Sequence, residues 1–497
     1  MQQYMLFWLK QFISLLLCAL PILGTCASAY SQSCNLTDLR RVEAELRRRT
    51  HRLTLENGLQ VVLFENHDSP FAAVRTVFDV GSREESPGQE GFAHLFEHLM
   101  FKGTKNIPDG GYRQIVGELG GNLWGGGVNA KTMFDYTQYT SLVPGENIQG
   151  ALWLEADRFQ NLQIRQKDLS LEINTVLEEK KQRVDNQPYL KAVNDFVPTL
   201  GAGTPYTHSP IGNEASLSAA NLKKVQDFLQ RYYSAKNAAL AVAGDIEPGP
   251  LKGFIKNTFA GLRSGERSPG AEQSRMAFSE PYTLLYDHLA PYPVYVFIWP
   301  TVGELHPEYV LHRVTRSIVL DALDDAMDRE QLAFLTLPPV YNEDLNHIKY
   351  AGFTVFLVIP RISAGRRQVE RLVEESIASL LKDKNYDVCA KLQSVERQML
   401  SEFRDNADIA YRLSADLMDY GDPLHVLNQL EQLRQIKPED IESVIRRYYL
   451  HKSLLIEVSP KGATRWAKRV GEIVPDFLMR PLEDKIIEIF DNSDSDL

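Results

Sequence analysis

Apolar and polar residues follow one another along the chain in patterns that predict strands and helices in both halves. In the first half, residues 53–64 form two short apolar runs around Asn57-Gly58, a dipeptide typical of hairpin turns. Residues 71–80 predict a third strand, and helical spacing of apolar residues marks 148–159 and 170–184. The first half is therefore predicted to combine a sheet with helices.

The second half of the chain shows a similar order of elements. Strand patterns occur at residues 292–299, 350–359 and 453–459, and helical patterns at 309–327, 366–382, 389–403 and 438–448. Between the halves, residues 261–274 carry Gly, Ser, Pro and charge in place of apolar periodicity, which predicts a linker. A length of 497 residues fits two domains of about 200 residues each.

The N-terminus has the pattern of a secretory signal. Lys10 precedes an apolar run at residues 12–23, and small residues follow up to Ala29, after which we predict cleavage. Lipid attachment at Cys26 is the alternative, because residues 23–26 weakly resemble a lipoprotein box. No other stretch reaches 18 uninterrupted apolar residues, so we predict an exported protein with no integral membrane span, periplasmic if the source is a Gram-negative bacterium and otherwise secreted.

Composition and charge narrow the classes of partner. The net charge is −11 and no basic run occurs, which argues against a nucleic-acid partner. The signal contains two of the four cysteines, leaving Cys34 and Cys389. A disulfide between these two cysteines is possible. Two cysteines alone cannot form a disulfide framework or a cysteine metal site. Any metal would therefore be held by nitrogen and oxygen.

The most informative stretch is at residues 91–104, GFAHLFEHLMFKGT, which places His94, Glu97 and His98 in the order H-x-x-E-H. At about 100° per residue, His94 and His98 lie on one face of a helix and can bind the same cation. Glu97 lies close to that face, where a carboxylate can act as general base for a water activated by the metal. The order is that of the inverzincin peptidases.

The predicted helix at residues 170–184 offers carboxylates that could provide a third metal ligand. Glu172 and Glu179 lie on one face of it, whereas Glu178 points about 100° away. An open zinc site commonly takes a carboxylate as its third protein ligand, so Glu179 is the candidate and Glu172 would orient a ligand. The alternative is that both are ordinary surface glutamates of a Glu/Lys-rich helix.

The glycine-rich region at residues 117–143 permits two interpretations. GGGVNAKT nearly matches a phosphate-binding loop, but Ala130 occupies the place of an essential glycine and strand-like alternation follows. We therefore predict a turn into a sheet strand, whose exposed edge could bind a peptide as an additional strand.

Six stretches, in the right order, resemble the insulinase/pitrilysin family of zinc metallopeptidases, which includes the mitochondrial processing peptidases. They are GFAHLFEHLMFKGT, VNAKTMFDYTQY, ADRF, INTVLEEKKQRVDNQPY, PYTHSPIG and YYSAKNAALAVAGD. The resemblance covers about residues 50–250 and implies a zinc endopeptidase. It implies that His94, His98 and Glu179 bind Zn²⁺, that Glu97 is the catalytic base and that Glu172 supports catalysis.

The resemblance also implies a substrate site and a fold. Asn129 and Ala130 match the edge strand on which the family holds the backbone of a peptide substrate. The implied fold class is α+β, with two homologous α/β-sandwich domains, each a mixed sheet with helices packed on it, forming one half of a clamshell. We predict these segments: signal peptide 1–29, extension 30–50, zinc-binding domain 51–260, linker 261–280, homologous non-catalytic domain 281–480 and acidic tail 481–497.

One departure from the family changes the predicted assembly. Full-length members supply an Arg and a Tyr, seven positions apart, that stabilise the oxyanion. Here Met327 and Phe334 occupy those places, and neither donates a strong hydrogen bond. In split members a homologous subunit carries the Arg and Tyr, so we predict a heterodimer with such a partner. A homodimer, a weakly active monomer and a non-proteolytic assembly or scaffold subunit are the alternatives.

Overall fold

The computed structural model describes residues 34–121, 127–337, 348–361, 363–384, 386–451 and 453–461. The predicted signal peptide and the acidic tail lie outside these residues.

The first part of the chain forms a six-stranded mixed sheet. Its strands are β1 (Thr50–Thr54), β2 (Gln60–Glu65), β3 (Phe71–Phe78), β4 (Val128–Thr132), β5 (Thr137–Pro144) and β6 (Ala238–Gly244). They lie in the order β1-β2-β6-β3-β5-β4. Strands β2 and β6 are parallel and the other neighbours are antiparallel. Strand β4 is therefore an edge of the sheet, and it pairs with β5 alone among the described strands.

Nine α-helices of at least five residues lie in this part of the described chain, and most of them pack on this sheet. They are α1 (Leu39–Arg49), α2 (Phe92–Leu99), α3 (Gly111–Glu118), α4 (Ile148–Asn161), α5 (Gln166–Lys180), α6 (Leu190–Leu200), α7 (Glu214–Ser218), α8 (Leu222–Tyr232) and α9 (Pro248–Thr258). Leu95 of α2, Leu152 of α4 and Val176 of α5 belong to one buried cluster with Val74 of β3. The helix with the H-x-x-E-H motif is thus packed on the sheet beside α5.

The second part of the chain repeats this arrangement. Its elements are β7 (Tyr282–Asp287), β8 (Val294–Thr301), α10 (Tyr309–Glu330), β9 (Ala333–Leu337), β10 (Gly352–Pro360), α11 (Arg366–Asp383), α12 (Val388–Ser401), α13 (Asn406–Tyr420), α14 (His425–Gln435), α15 (Pro438–Val444) and β11 (Leu454–Pro460). The strand order β7-β11-β8-β10-β9 reproduces β2-β6-β3-β5-β4, and β7 and β11 are again parallel. By this correspondence, β9 is the counterpart of the edge strand β4.

The two halves exchange a helix. Helix α13 of the second half packs on β2, β3 and β6, with Leu413 in one buried cluster with Ala241. In return, α6 of the first half packs on the second sheet, where Phe196 lies against the cluster that contains Ile456. Each sheet is therefore closed partly by the other half, and the domain boundaries given above stay a prediction.

A disulfide fastens the start of the described chain to the second half. Cys34 bonds to Cys389 at the start of α12, with the two Cα atoms 5.0 Å apart. Nearby, the backbone N–H of Thr37 donates to Glu396 at 2.9 Å, and Arg434 donates to the other oxygen of that carboxylate at 2.6 Å. The pairing that the sequence left open therefore links segments 355 positions apart.

Two of the differences between the structure and the sequence prediction bear on the site and on the packing of the halves. The single strand expected after the glycine-rich region is a hairpin of β4 and β5, because the N–H of Met133 donates to the carbonyl of Tyr136 at 2.9 Å and closes a turn. Helix α13 was not predicted, because Arg412 and Asp416 are buried in it and pair at 2.7 Å. Their charges obscure the apolar periodicity.

Candidate metal site

The H-x-x-E-H motif lies on a short helix whose first turn is fixed by a buried carboxylate. Glu85 accepts hydrogen bonds from the N–H groups of Gly91 at 2.7 Å and Ala93 at 2.6 Å. Carboxylates at this end of a helix satisfy its unpaired N–H groups and favour its dipole. Gly91 has φ +100° and its Cα faces Gly212, so this close approach requires glycine. Helix α2 is thereby held in one orientation.

Three potential ligand atoms converge beside α2. Glu179 Oε2 lies 3.2 Å from His98 Nε2 and 3.6 Å from His94 Nε2. Bonds of about 2.0–2.1 Å to a tetrahedral zinc ion place ligand atoms about 3.3 Å apart, and the observed separations agree with that value. Within the described ranges, this is the one group of three or more His, Cys, Asp or Glu residues with such converging atoms.

His94 is suited to bind a metal in its neutral form. It is buried, and burial together with the neighbouring His98 lowers the pKa of His94 to about 4. A neutral imidazole is the form that binds metal ions. The two rings are almost perpendicular, with centroids 4.9 Å apart.

A second carboxylate orients His98. Glu172 Oε2 lies 3.3 Å from His98 Nδ1, on the side of the ring opposite to Glu179, and Lys102 contacts the other Glu172 oxygen at 2.6 Å. Burial lowers the pKa of His98, but hydrogen bonding to Glu172 and Glu179 outweighs burial and raises this pKa to about 9. A carboxylate behind a ligating histidine fixes its tautomer and strengthens it as a ligand. Sequence analysis did not identify Lys102, although its i+4 spacing from His98 is a usable signal.

Glu97 and the edge strand are joined by a hydrogen bond. Thr132 Oγ1 donates to Glu97 Oε2 at 2.6 Å. Burial raises the pKa of Glu97, and the hydrogen bond from Thr132 opposes that rise. Thr132 was also missed in the sequence, although period-two alternation in β4 puts it on the same face as Ala130.

The residues predicted to hold substrate line an open cleft beside the metal-binding group. Two adjoining hollows of about 490 and 330 Å³ share Glu97, His98, Asn129 and Ala130 as lining residues. Asn129 is exposed and Ala130 is half-buried. The edge of β4 therefore opens to solvent next to the carboxylate and the imidazole.

Glu178, which lies between Glu172 and Glu179 in the sequence, does not join the candidate metal-binding group. Glu178 is exposed and accepts a hydrogen bond from Gln182 at 3.0 Å. By contrast, Glu179 Oε1 lies 3.0 Å from Arg183 Nη1, which leaves Oε2 directed at the histidines. The two side chains thus lie in different surroundings, as helical geometry predicts.

Neither of the residues at the expected oxyanion positions carries a hydrogen-bond donor in its side chain. Met327 is 0% exposed and belongs to the buried cluster that both halves share. The side chain of Phe334 lies outside the described part of the structure.

Sequence profiles place this site in a known family. The profile of insulinase (peptidase family M16) matches residues 60–207, which include both histidines and Glu179, and the profile of the peptidase M16 inactive domain matches residues 219–331. The chain belongs to the insulinase family. The predicted family membership is thereby confirmed.

Relatives of this insulinase-family chain include bacterial proteases. It is 27% identical over 419 residues to the zinc protease PqqE of Helicobacter pylori, covering 80% of this chain and 89% of that protein. Several other curated relatives are matched over about half of their own length.

Solved structures with the same fold confirm the predicted fold class. The structure of a protease from H. pylori superposes with a TM-score of 0.71 at 23% identity, covering 83% of this chain and 99% of that one. The periplasmic protease PqqL from Escherichia coli superposes with a TM-score of 0.68 at 16% identity, covering 88% of this chain and 50% of that one. Within the described ranges, no helix is both long and apolar enough to cross a membrane.

Proposed function

We propose that this chain is an exported zinc-dependent endopeptidase that hydrolyses peptides or unfolded polypeptide segments. The main observation behind the proposal is that three potential ligand atoms converge beside Glu97, in the cleft next to the edge strand β4. These atoms are His94 Nε2, His98 Nε2 and Glu179 Oε2. The names of relatives such as PqqE support the same reaction class.

Each residue of the cleft has a distinct task in this reaction. His94, His98 and Glu179 hold the zinc ion, which when bound supplies Lewis-acid activation of the scissile carbonyl and of the attacking water. Glu97 takes the proton from that water and delivers it to the leaving amine. Glu172 fixes the ring of His98.

The substrate is proposed to bind as an additional strand. The outer edge of β4 pairs with no strand among the described residues, so its N–H and C=O groups can pair with an extended peptide. Asn129 and Ala130 lie on that edge, adjacent to Glu97 in the cleft. This mode would select extended segments, which is why peptides or unfolded chains are the proposed substrates.

A homologous partner subunit is proposed to complete the site within an enclosed chamber. The buried Met327 supplies no donor to an oxyanion, and this chain superposes on half the length of PqqL. A partner with an Arg and a Tyr seven positions apart would provide the missing hydrogen bonds. A homodimer is the alternative arrangement.

Export is supported by three observations. The first residues have the pattern of a signal peptide. The Cys34–Cys389 disulfide is a type of bond that persists in oxidising compartments. The E. coli protein of similar fold is described as periplasmic.

Replacing Glu97 by Gln tests the proposed reaction. The variant should keep zinc, measured by elemental analysis, and lose cleavage of a quenched fluorescent peptide library, because only the base is removed. Cleavage at the wild-type rate would overturn the assignment.

Assaying the chain with and without a co-encoded homologue that carries R-x6-Y tests the proposed partner. Full activity of the chain alone would show that no partner is required.

A non-proteolytic assembly or scaffold subunit is the second candidate function. The match of residues 219–331 to a domain described as inactive, together with Met327, favours it. It predicts zinc binding without peptide hydrolysis, even when the co-encoded homologue is present.

A further inference from the structure

Thr132 lies where the substrate edge and the catalytic base meet. It is the last residue of β4, its side chain is buried, and its Oγ1 donates to Glu97 Oε2 at 2.6 Å. Within the described residues, no other hydrogen bond to the Glu97 carboxylate occurs. The orientation of this carboxylate therefore depends on a side chain that belongs to the strand, not to its own helix.

The backbone around Thr132 is held firmly. Thr132 pairs with Thr137 across the hairpin, and the buried Thr137 donates to the carbonyl of Val80 at 2.8 Å. Two residues earlier, Ala130 lies on the same face and packs against the cluster that contains α2. The hydroxyl of Thr132 is thus presented to Glu97 from a fixed position.

We propose that Thr132 is a positioning residue that couples the substrate-binding edge to the catalytic base. Its hydroxyl donates to Oε2 of Glu97, and Oε1 of this cleft-lining carboxylate remains to take the proton of the attacking water. A peptide that pairs with β4 at Asn129 and Ala130 stabilises the strand that carries this hydroxyl. Docking of substrate and alignment of the base therefore depend on one short strand. This inference rests on the proposed peptidase function.

The magnitude follows from the type of hydrogen bond. Loss of a hydrogen bond to a charged group typically changes an equilibrium constant by about 10- to 100-fold. If the bond aligns Glu97 for the chemical step, its loss lowers kcat by that factor and leaves KM within about twofold. A purely structural role of Thr132 would instead lower the amount of folded protein. It would not specifically lower kcat while leaving KM unchanged.

The decisive variants are Thr132→Val, which removes the hydroxyl, and Thr132→Ser, which keeps it. We expect about a 10- to 100-fold loss of kcat in the first, at least a third of wild-type kcat in the second, and wild-type zinc content in both. Thr54→Val is the matched control, because Thr54 is exposed at the end of β1, the opposite edge of the same sheet. It should leave kcat unchanged.

Kinetics can overturn the inference in three ways. Thr132→Val could keep kcat within twofold of wild type. Thr132→Ser could lose as much activity as the valine variant, which would indicate packing instead of hydrogen bonding. The loss could also appear in KM alone, which would indicate substrate binding.

A readout that needs no activity separates this inference from the proposed function. The crystal structure of the zinc-free Thr132→Val variant should show the Glu97 carboxylate moved from its wild-type position. If the wild-type chain cleaves peptides but Glu97 stays in place with kcat unchanged, the inference is wrong and the function stands. If no peptide is cleaved under any condition, the proposed function is wrong and the coupling to a catalytic base falls with it; a moved Glu97 would then show only that the Thr132 hydroxyl orients this carboxylate.

Discussion

Replacing Glu179 by Gln should weaken zinc binding strongly while leaving the fold intact. The carboxylate oxygen lies 3.2 and 3.6 Å from the two imidazole nitrogens, and the side chain is 17% exposed. A glutamine of the same length keeps the packing but removes the charge. The metal site would then retain two neutral imidazoles and a weak carbonyl ligand.

The expected magnitude is set by comparison with Glu172. Glu172 does not face the metal position and acts through His98, and loss of such an outer partner typically costs 10- to 100-fold in metal affinity. Glu179→Gln removes a proposed direct ligand, so we expect a loss above about 100-fold, or more than about 2.7 kcal/mol. The zinc affinity of Glu172→Gln should lie between that of Glu179→Gln and that of the wild type.

Glu178→Gln provides the matched control on the same helix. Glu178 is exposed and contacts Gln182, so its replacement should change zinc affinity by less than about twofold. The assay is competition between the apoprotein and a fluorescent zinc chelator at pH 7, with circular dichroism to verify folding. Equal losses in the Glu178 and Glu179 variants, or wild-type affinity in Glu179→Gln, would refute the ligand assignment.

Three further predictions address other parts of the molecule. Replacing Cys34 and Cys389 together by Ser should lower the free energy of unfolding by about 2–4 kcal/mol in urea titrations, and an unchanged midpoint would contradict a role for the bond in stability. Burial lowers the pKa of His312 to about 3, so its contribution to stability is present above pH 6.5 and is lost as the pH falls toward 3. Between pH 7 and 5 that loss is about 2 kcal/mol, and His312→Gln should remove it; an equal pH dependence in the variant would refute the argument. The pKa of His98 near 9 predicts that zinc binding at pH 7 releases about one proton, seen as a binding enthalpy that changes with the ionisation enthalpy of the buffer. A buffer-independent enthalpy would contradict it.

Much of the candidate site follows from local geometry. The spacing of His94 and His98 brings both rings to one side of a helix in any sequence context that is helical, because the rotation per residue is constant. The same argument separates Glu179 from Glu178 on α5. Family motifs then indicated which helix face bears the ligands, and the profile matches agree with that family.

Other features depend on contacts that local periodicity does not specify. That α5 lies beside α2, that Lys102 reaches Glu172 and that Thr132 reaches Glu97 all depend on how these helices and β4 pack in the folded chain. Apolar alternation shows which side of a strand is buried, but several strand orders satisfy it equally well.

The sequence by itself determined the metal-binding motif, the candidate third ligand and the α+β class, since each rests on residues within a few helical turns or on a family motif. Only the tertiary structure decided that the halves exchange α6 and α13, and that Cys34 meets Cys389 across 355 positions. It also decided that a threonine on the edge strand contacts the base. The physical reason is that backbone periodicity acts over a few residues, whereas these contacts depend on how distant segments pack.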